Sequence, residues 1–344
     1  MIAQDSVNNC RFCCVVSKAN GEDPIGSAPT YEHLLALEMK LPWTEKCLRE
    51  NPVLQSVISF IEKLILEHAI KIQGQLLVPD SEYSRPGYTR LLYYRRPAKL
   101  FAKFEKHEFI IPDSEVASFV MALLETLLHL QEFVPDWEQY RQQTSEIREL
   151  MVCTHGNVDV ACARFGYPIY RQLRSEFATA SNGKLRVWRC SHFGGHQFAP
   201  TLIDLPYGRY WGHLQPEILK LLVWHHGSVK ELYPFYRGWA GSSRFEQIVE
   251  REIWMQEGWD WLNYQKWGQV LSSDEVNQNW ANIRIDFSTT DGSIRSAYEA
   301  RVEVNGIVMS AENSEDELSL KEVKQYCVSR LLKLSKEKTQ NRNQ

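Results

Sequence analysis

Apolar residues recur along the first third of the chain with two different periods, and the change of period marks the elements. Through Val53–Ala69, the residues Leu54, Val57, Ile58, Ile61, Leu64, Ile65 and His68 return every three or four positions, which is one face of an α-helix. His33–Met39, Ile70–Val78, Tyr88–Arg95 and Phe104–Ile111 are instead short apolar runs. Pro79-Asp80, the Arg85-Pro-Gly87 turn and Pro112 punctuate them, so they predict strands. A second helical face, Val116, Phe119, Val120, Leu123, Leu124 and Leu127, follows Ser114, a residue suited to cap it.

Beyond the polar stretch Gln131–Glu146 the same order returns. It runs strand Arg148–Cys153, helix Asp159–Ala178, strands Leu185–Cys190, Thr201–Leu205 and Arg209–His213, then helix Glu217–His225. A βαβ unit followed by a β-hairpin and a helix is the plan of the thioredoxin fold. The expected class is therefore α/β, with two thioredoxin-like modules in tandem: a degenerate one over 1–135 and a second over 146–228. Residues 229–344 have another texture and are expected to form a Trp-rich α+β extension. It contains a helix at Phe245–Trp254, a hairpin of Ile283–Phe287 and Ile294–Val304 about Asp291-Gly292, and a closing helix at Leu320–Leu334. It holds tryptophans at 239, 254, 259, 261, 267 and 280; the five between 239 and 267 are expected in the core rather than on a docking surface, and the polar tail from Ser335 is expected to fray.

Composition narrows the function. At 344 residues the chain exceeds the roughly 250 to 300 that one core supports. A net charge of −4 carries no basic footprint, which argues against a nucleic-acid partner. No apolar run approaches the roughly 18 residues needed to span a bilayer, so a cytoplasmic protein without membrane contact is expected. Eight cysteines are too sparse for a disulfide scaffold and in a reducing compartment serve as thiols, ligands or redox groups. Cys47 and Cys327 stand alone and read as packed small hydrophobes. Cys10, Cys13 and Cys14 precede the first strand with no complementary Cys or His group near them in sequence, so they are left outside the centre.

The chemistry concentrates between residues 153 and 196. Cys153 closes a predicted strand, Cys162 lies in the first turn of the next helix, and His192-Phe-Gly-Gly-His196 places two imidazoles four apart around a flexible pair of glycines. Two thiolates and two imidazoles suit zinc or iron and hardly suit magnesium or calcium. From the residues alone, an iron–sulfur centre, a zinc-stabilised interaction module and a thiol–disulfide oxidoreductase stay open. Against the last, neither module has a Cys-x-x-Cys at the start of the helix after its first strand. His155 and Cys190 beside these residues read as supporting groups.

Cys153-Thr-His-Gly-Asn-Val-Asp-Val-Ala-Cys162, its continuation to Tyr170, and Val187-Trp-Arg-Cys-Ser-His-Phe-Gly-Gly-His-Gln-Phe-Ala-Pro200 resemble the sucrase/ferredoxin-like family of thioredoxin-like [2Fe–2S] proteins. Gly21-Glu-Asp-Pro-Ile-Gly-Ser-Ala-Pro29 and Tyr236-Arg-Gly238 resemble its more diffuse elements. The resemblance implies a [2Fe–2S] cluster held by Cys153, Cys162, His192 and His196. It implies an electron carrier, with transfer coupled to a proton through an imidazole, and a redox protein as donor or acceptor. Many relatives carry a second cysteine where this chain has Ala161, and some carry aspartate where it has His196. No pair of carboxylates arranged for glycoside hydrolysis is identifiable, so the sucrase half of the family name finds no support here.

Overall fold

The computed structural model describes residues 11–46, 50–51, 54–97, 100–129, 135–314 and 319–334. Cys10, Cys47, part of the polar connection and the tail from Ser335 lie outside the described residues. A short helix α1 (Cys13–Ala19) comes first, followed by β1 (His33–Glu38), α2 (Gln55–His68), β2 (Ile72–Leu77), β3 (Tyr88–Arg95), β4 (Glu105–Pro112) and α3 (Val116–His129). Then come β5 (Arg141–Gln142), β6 (Arg148–Cys153), α4 (Val160–Gln172), β7 (Leu185–Cys190), β8 (Leu202–Leu205), β9 (Arg209–Trp211) and α5 (Leu219–Trp224). The chain ends with β10 (Tyr236–Trp239), α6 (Arg244–Glu257), β11 (Gln265–Ser273), β12 (Trp280–Ser288), β13 (Arg295–Ala311) and β14 (Leu320–Lys333).

The fold is α/β, as expected, and every strand and helix read between residues 33 and 225 is present within a few residues of its expected limits. The helix after β4 is entered through a 3₁₀ turn, Asp113–Glu115, that carries no side-chain cap, so Ser114 does not play its expected part. By compactness the chain divides otherwise than at residues 135 and 228. One unit comprises residues 31–96 and 105–194; the other comprises residues 1–30, 97–104 and 195–344.

In the first of these units the strands run in the order β6-β7-β2-β1-β3-β4-β5. β1 and β2 are parallel, β3 is antiparallel to β1, and β4 is antiparallel to β3, which is the thioredoxin arrangement of the first module. β6 and β7 are parallel, and Leu77 of β2 pairs with Cys190 of β7, so the β-α-β core of the second module continues the sheet of the first. The polar connection contributes a two-residue edge strand, β5, rather than a free linker. Leu35, Leu91, Phe109 and Ile111 on one face of this sheet pack with Val57 and Leu64 of α2 and with Phe119, Leu123 and Leu124 of α3. Each such side chain is worth roughly 1.5–3 kcal/mol on burial, which is what holds the helices to the sheet.

Within that layer His33 and His107 stack on either side of Tyr93, and His33 Nδ1 lies 2.9 Å from the Tyr93 hydroxyl. Burial, with Arg95 adding to it against Glu32, holds His33 down to about 4 from its ordinary 6.5. Burial, then Arg141 and Arg95, does the same to His107. The unfolded chain therefore binds protons below pH 6.5 that the folded chain refuses until about pH 4. The stability these residues confer is whole above 6.5 and is lost as pH falls through that window. A loss of about 1 to 2 kcal/mol per histidine is expected, after allowing for their partial exposure. Urea midpoints at pH 7 and 4.5 should show it, and His107→Phe should remove about half of the drop; an equal drop in the variant contradicts this account.

The second unit holds α1, the antiparallel strands β8, β9 and β10, helix α6, and an antiparallel sheet β11-β12-β13-β14. Helix α6 starts at a capping box between Ser243 and Glu246. Trp239, Trp254 and Trp261 are buried as expected, with the Trp261 indole donating to Glu250 at 2.7 Å, whereas Trp259 and Trp267 are only half-buried. The expected helix at Leu320–Leu334 is instead strand β14, paired with β13 from Ala311↔Leu320 to Tyr298↔Lys333. Leu, Lys and Glu in that segment favour a helix locally. Val323, Tyr326 and Val328 fit a pleated surface, and the long partner strand decides.

Candidate metal centre

Cys153 is the last residue of β6, opposite Cys190 of β7 in parallel register. The chain then loops to Asp159, whose carboxylate accepts the Ala161 N–H at 2.8 Å and caps α4. That cap sets Cys162 in the first turn, at the positive end of the helix dipole, with its own N–H donating to the Asp159 carbonyl at 3.1 Å. Gly166, one turn on, lies against the end of β6, and a Cβ there would collide with the Cys153 carbonyl oxygen. The absent side chain lets α4 settle onto β6, and this close approach brings the two thiols together.

His192, two residues after β7, completes a triad. Its Nδ1 is 3.6 Å from Cys162 Sγ and 3.9 Å from Cys153 Sγ, and the three donor atoms all lie within 4.8 Å of one another. Both thiols are buried, while His192 is half-buried. Burial would raise the Cys153 thiol, but hydrogen bonding to Cys162 and His192, the charge on His192 and a backbone N–H at His155 outweigh it and bring the thiol down to about 5. Burial, then the Cys153 charge, pushes Cys190 well up, so Cys190 stays a protonated neighbour.

His155 supports this triad. Its Nδ1 accepts the His192 N–H at 3.5 Å, its Nε2 faces the Thr44 carbonyl at 3.0 Å, and its ring meets Trp43 edge-on. A ring that accepts at Nδ1 must carry its proton at Nε2, where Thr44 takes it, so both contacts agree on one neutral tautomer. Asn157 donates to the Trp43 carbonyl at 2.5 Å and ties the same loop to residue 43. Arg189 reaches Thr154 at 3.4 Å and lies over Tyr167, whereas Arg164 is exposed.

Gly194 and Gly195 both adopt left-handed φ, +86° and +77°, which glycine alone takes freely. The turn carries the chain into the second unit, and His196 belongs there, opening a 3₁₀ turn. Its Nδ1 lies 3.3 Å from Sγ of Cys13, the first residue of α1. Cys13 is fully buried, and Ser314 holds it twice: the Ser314 hydroxyl donates to Sγ at 3.2 Å and accepts the Cys13 N–H at 3.1 Å. Sequence spacing does not show this contact, since 183 residues separate Cys13 from His196 and no Cys or His group lies near Cys13 in the chain beyond its own cluster. Elsewhere in this unit, Ser27 accepts from Arg237 at 3.0 Å through its hydroxyl and at 2.8 Å through its carbonyl, while Asp23 pairs with Arg251 through two bonds of 2.7 Å. The segments Gly21–Pro29 and Tyr236–Gly238, far apart in sequence, thus meet.

Soft thiols and an imidazole converging without a carboxylate between them form a donor set suited to iron or zinc. The Cys153–Cys162–His192 triad therefore fits a metal or iron–sulfur group on its chemistry. No helix among the described residues is long and apolar enough to cross a membrane.

No curated protein matches the chain. Among solved structures it is similar to a thioredoxin-like [2Fe–2S] ferredoxin from Aquifex aeolicus, at 16% identity and a TM-score of 0.24, over 28% of this chain and 98% of that one. The sucrase/ferredoxin-like family model matches residues 24–238, a span that contains Cys153, Cys162, His192 and His196. With more than half of its length inside that match, the chain belongs to the sucrase/ferredoxin-like family.

Proposed function

We propose that the protein is an electron carrier holding one [2Fe–2S] cluster on Cys153, Cys162, His192 and His196. The observation that carries this reading is the convergence of two buried thiols on His192 Nδ1. His196 is the fourth ligand that the His-x₃-His spacing and the family resemblance supply. When bound, such a cluster supplies a one-electron couple.

The chain's own residues set its character. Cys153 and Cys162 bring two negative charges, and two neutral imidazoles replace the other two thiolates of an ordinary ferredoxin, which raises the potential. Burial of both thiols keeps water from the sulfurs, while half-buried His192 stands where electrons and protons exchange with the exterior. His155 and Thr44 hold the His192 backbone in place, the kind of support on which a ligand's orientation depends. The partner is another redox protein, which gives or takes the electron.

Anaerobic purification tests the reading. A brown protein with visible charge-transfer absorption and about two irons and two sulfides per chain is expected. A colourless protein holding one zinc overturns it.

A further inference from the structure

Building on the electron-carrier reading above, we infer that the exposed face of α4 is the surface on which the redox partner docks, and that this partner is an acidic protein. Val160, Arg164, Tyr167 and Arg171 recur at helical spacing and so lie along one face of α4. All four are exposed, whereas Cys162, Gly166 and Ile169 on the opposite face are buried. The two ring and aliphatic members are open to solvent, Val160 at 50% and Tyr167 at 45% exposure.

Charge decides what such a face accepts. From Val160 to Gln172 the helix carries no aspartate or glutamate. Arg164 and Arg171 have no carboxylate partner among the described residues. Neither has Arg189, whose guanidinium lies over the Tyr167 ring, 5.3 Å from its centroid, and whose Nε reaches the Thr154 hydroxyl. Past the last turn, Asp80 and Glu82 are taken by Arg174, and Glu176 accepts from Gln172. A chain of net charge −4 thus gathers three arginines and a tyrosine beside the buried thiols, and these are residue types in which interfaces are enriched. At 1.5 Å per residue, the whole face lies within about 14 Å of Cys162 along the helix axis. A second copy of the chain suits it poorly, because a two-fold contact sets the arginines against their own copies. An acidic protein surface suits it, steered there by charge and held in the small contact typical of transient redox complexes.

Electron transfer from the reduced holoprotein to cytochrome c with succinylated lysines, an acidic acceptor, tests the assignment. Two proteins of like net charge react faster as salt is added; docking on the arginines makes the rate fall instead. Arg164→Glu with Arg171→Glu is expected to slow transfer about tenfold or more at low salt, and glutamine at both positions about threefold, with iron content unchanged. Lys63→Glu with Lys71→Glu makes the same change of net charge at exposed positions elsewhere in this unit, and is expected to stay within about twofold of the wild type. The glutamine pair decides by itself if the glutamate pair loses iron. A wild-type rate that rises with salt, an arginine variant as fast as the wild type, or equal losses in the arginine and lysine variants overturns the docking surface and leaves the electron carrier standing. A protein that holds no cluster overturns the carrier reading itself, and the docking surface with it.

Discussion

Cys162→Ala should yield a folded, colourless protein. The side chain is buried in the first turn of α4, where alanine is the better helix former and the lost volume is small, so the cost to the fold is about 1 kcal/mol. Its effect on the centre is of another size. Removing Sγ takes away one of the two donors that face His192 Nδ1 and one of the two negative charges that offset iron. Iron content is expected to fall from about two per chain to near zero, with the visible absorption, while far-ultraviolet circular dichroism stays as in the metal-free wild type. Cys190→Ala is the matched control. Cys190 is equally buried and lies across the ladder from Cys153, yet it is not one of the three converging donors, so that variant should keep its colour. If Cys162→Ala remains brown, or Cys190→Ala bleaches, the ligand assignment fails.

What could be read from the sequence follows from what is local in the chain. β3, β6 and β7 lie where they were expected, because each is a short apolar run closed by a turn residue or a charged stretch. Cys153 and Cys162 are nine positions apart and join through one strand, one loop and one capped helix, so their meeting is encoded in neighbouring residues. The Cys13–His196 contact depends on the packing of α1 within its unit, and nothing periodic marks it. β14 shows the same limit from the other side: its residues support either period, and its partner β13 is outside the window in which a period is read. The compact units, too, were hidden in the sequence. The Leu77–Cys190 pairing joins the two β-α-β cores in one sheet, and a polar connection that reads as a boundary contributes β5 to that sheet's edge.

Glu149→Ala should damage the same centre by a different route. Glu149, at the second position of β6, is fully buried and accepts from Lys106 at 2.6 Å, from Arg186 at 2.9 and 2.5 Å, and from the Trp188 indole at 2.6 Å. Glu108 takes Arg90 and the rest of the Arg186 guanidinium, and Glu38 faces Arg90 at 3.8 Å, so three cations are balanced by three carboxylates inside the unit. Removing one carboxylate leaves an uncompensated buried charge and an indole without its acceptor, at a cost of about 3–5 kcal/mol. Against the roughly 5–15 kcal/mol of an ordinary domain, that lowers the melting temperature on the order of 10 °C. Lys106→Met in the same chain removes the surplus cation and should recover part of the loss, because the penalty lies in the imbalance and not in the missing contact. β6 carries Glu149 near one end and Cys153 at the other, both in register with β7, so loosening the first should release the second. Glu149→Ala is therefore expected to lose its colour along its own lowered melting curve, whereas Cys162→Ala lacks colour at every temperature; colour loss in Glu149→Ala well below its unfolding transition would separate the network from the centre.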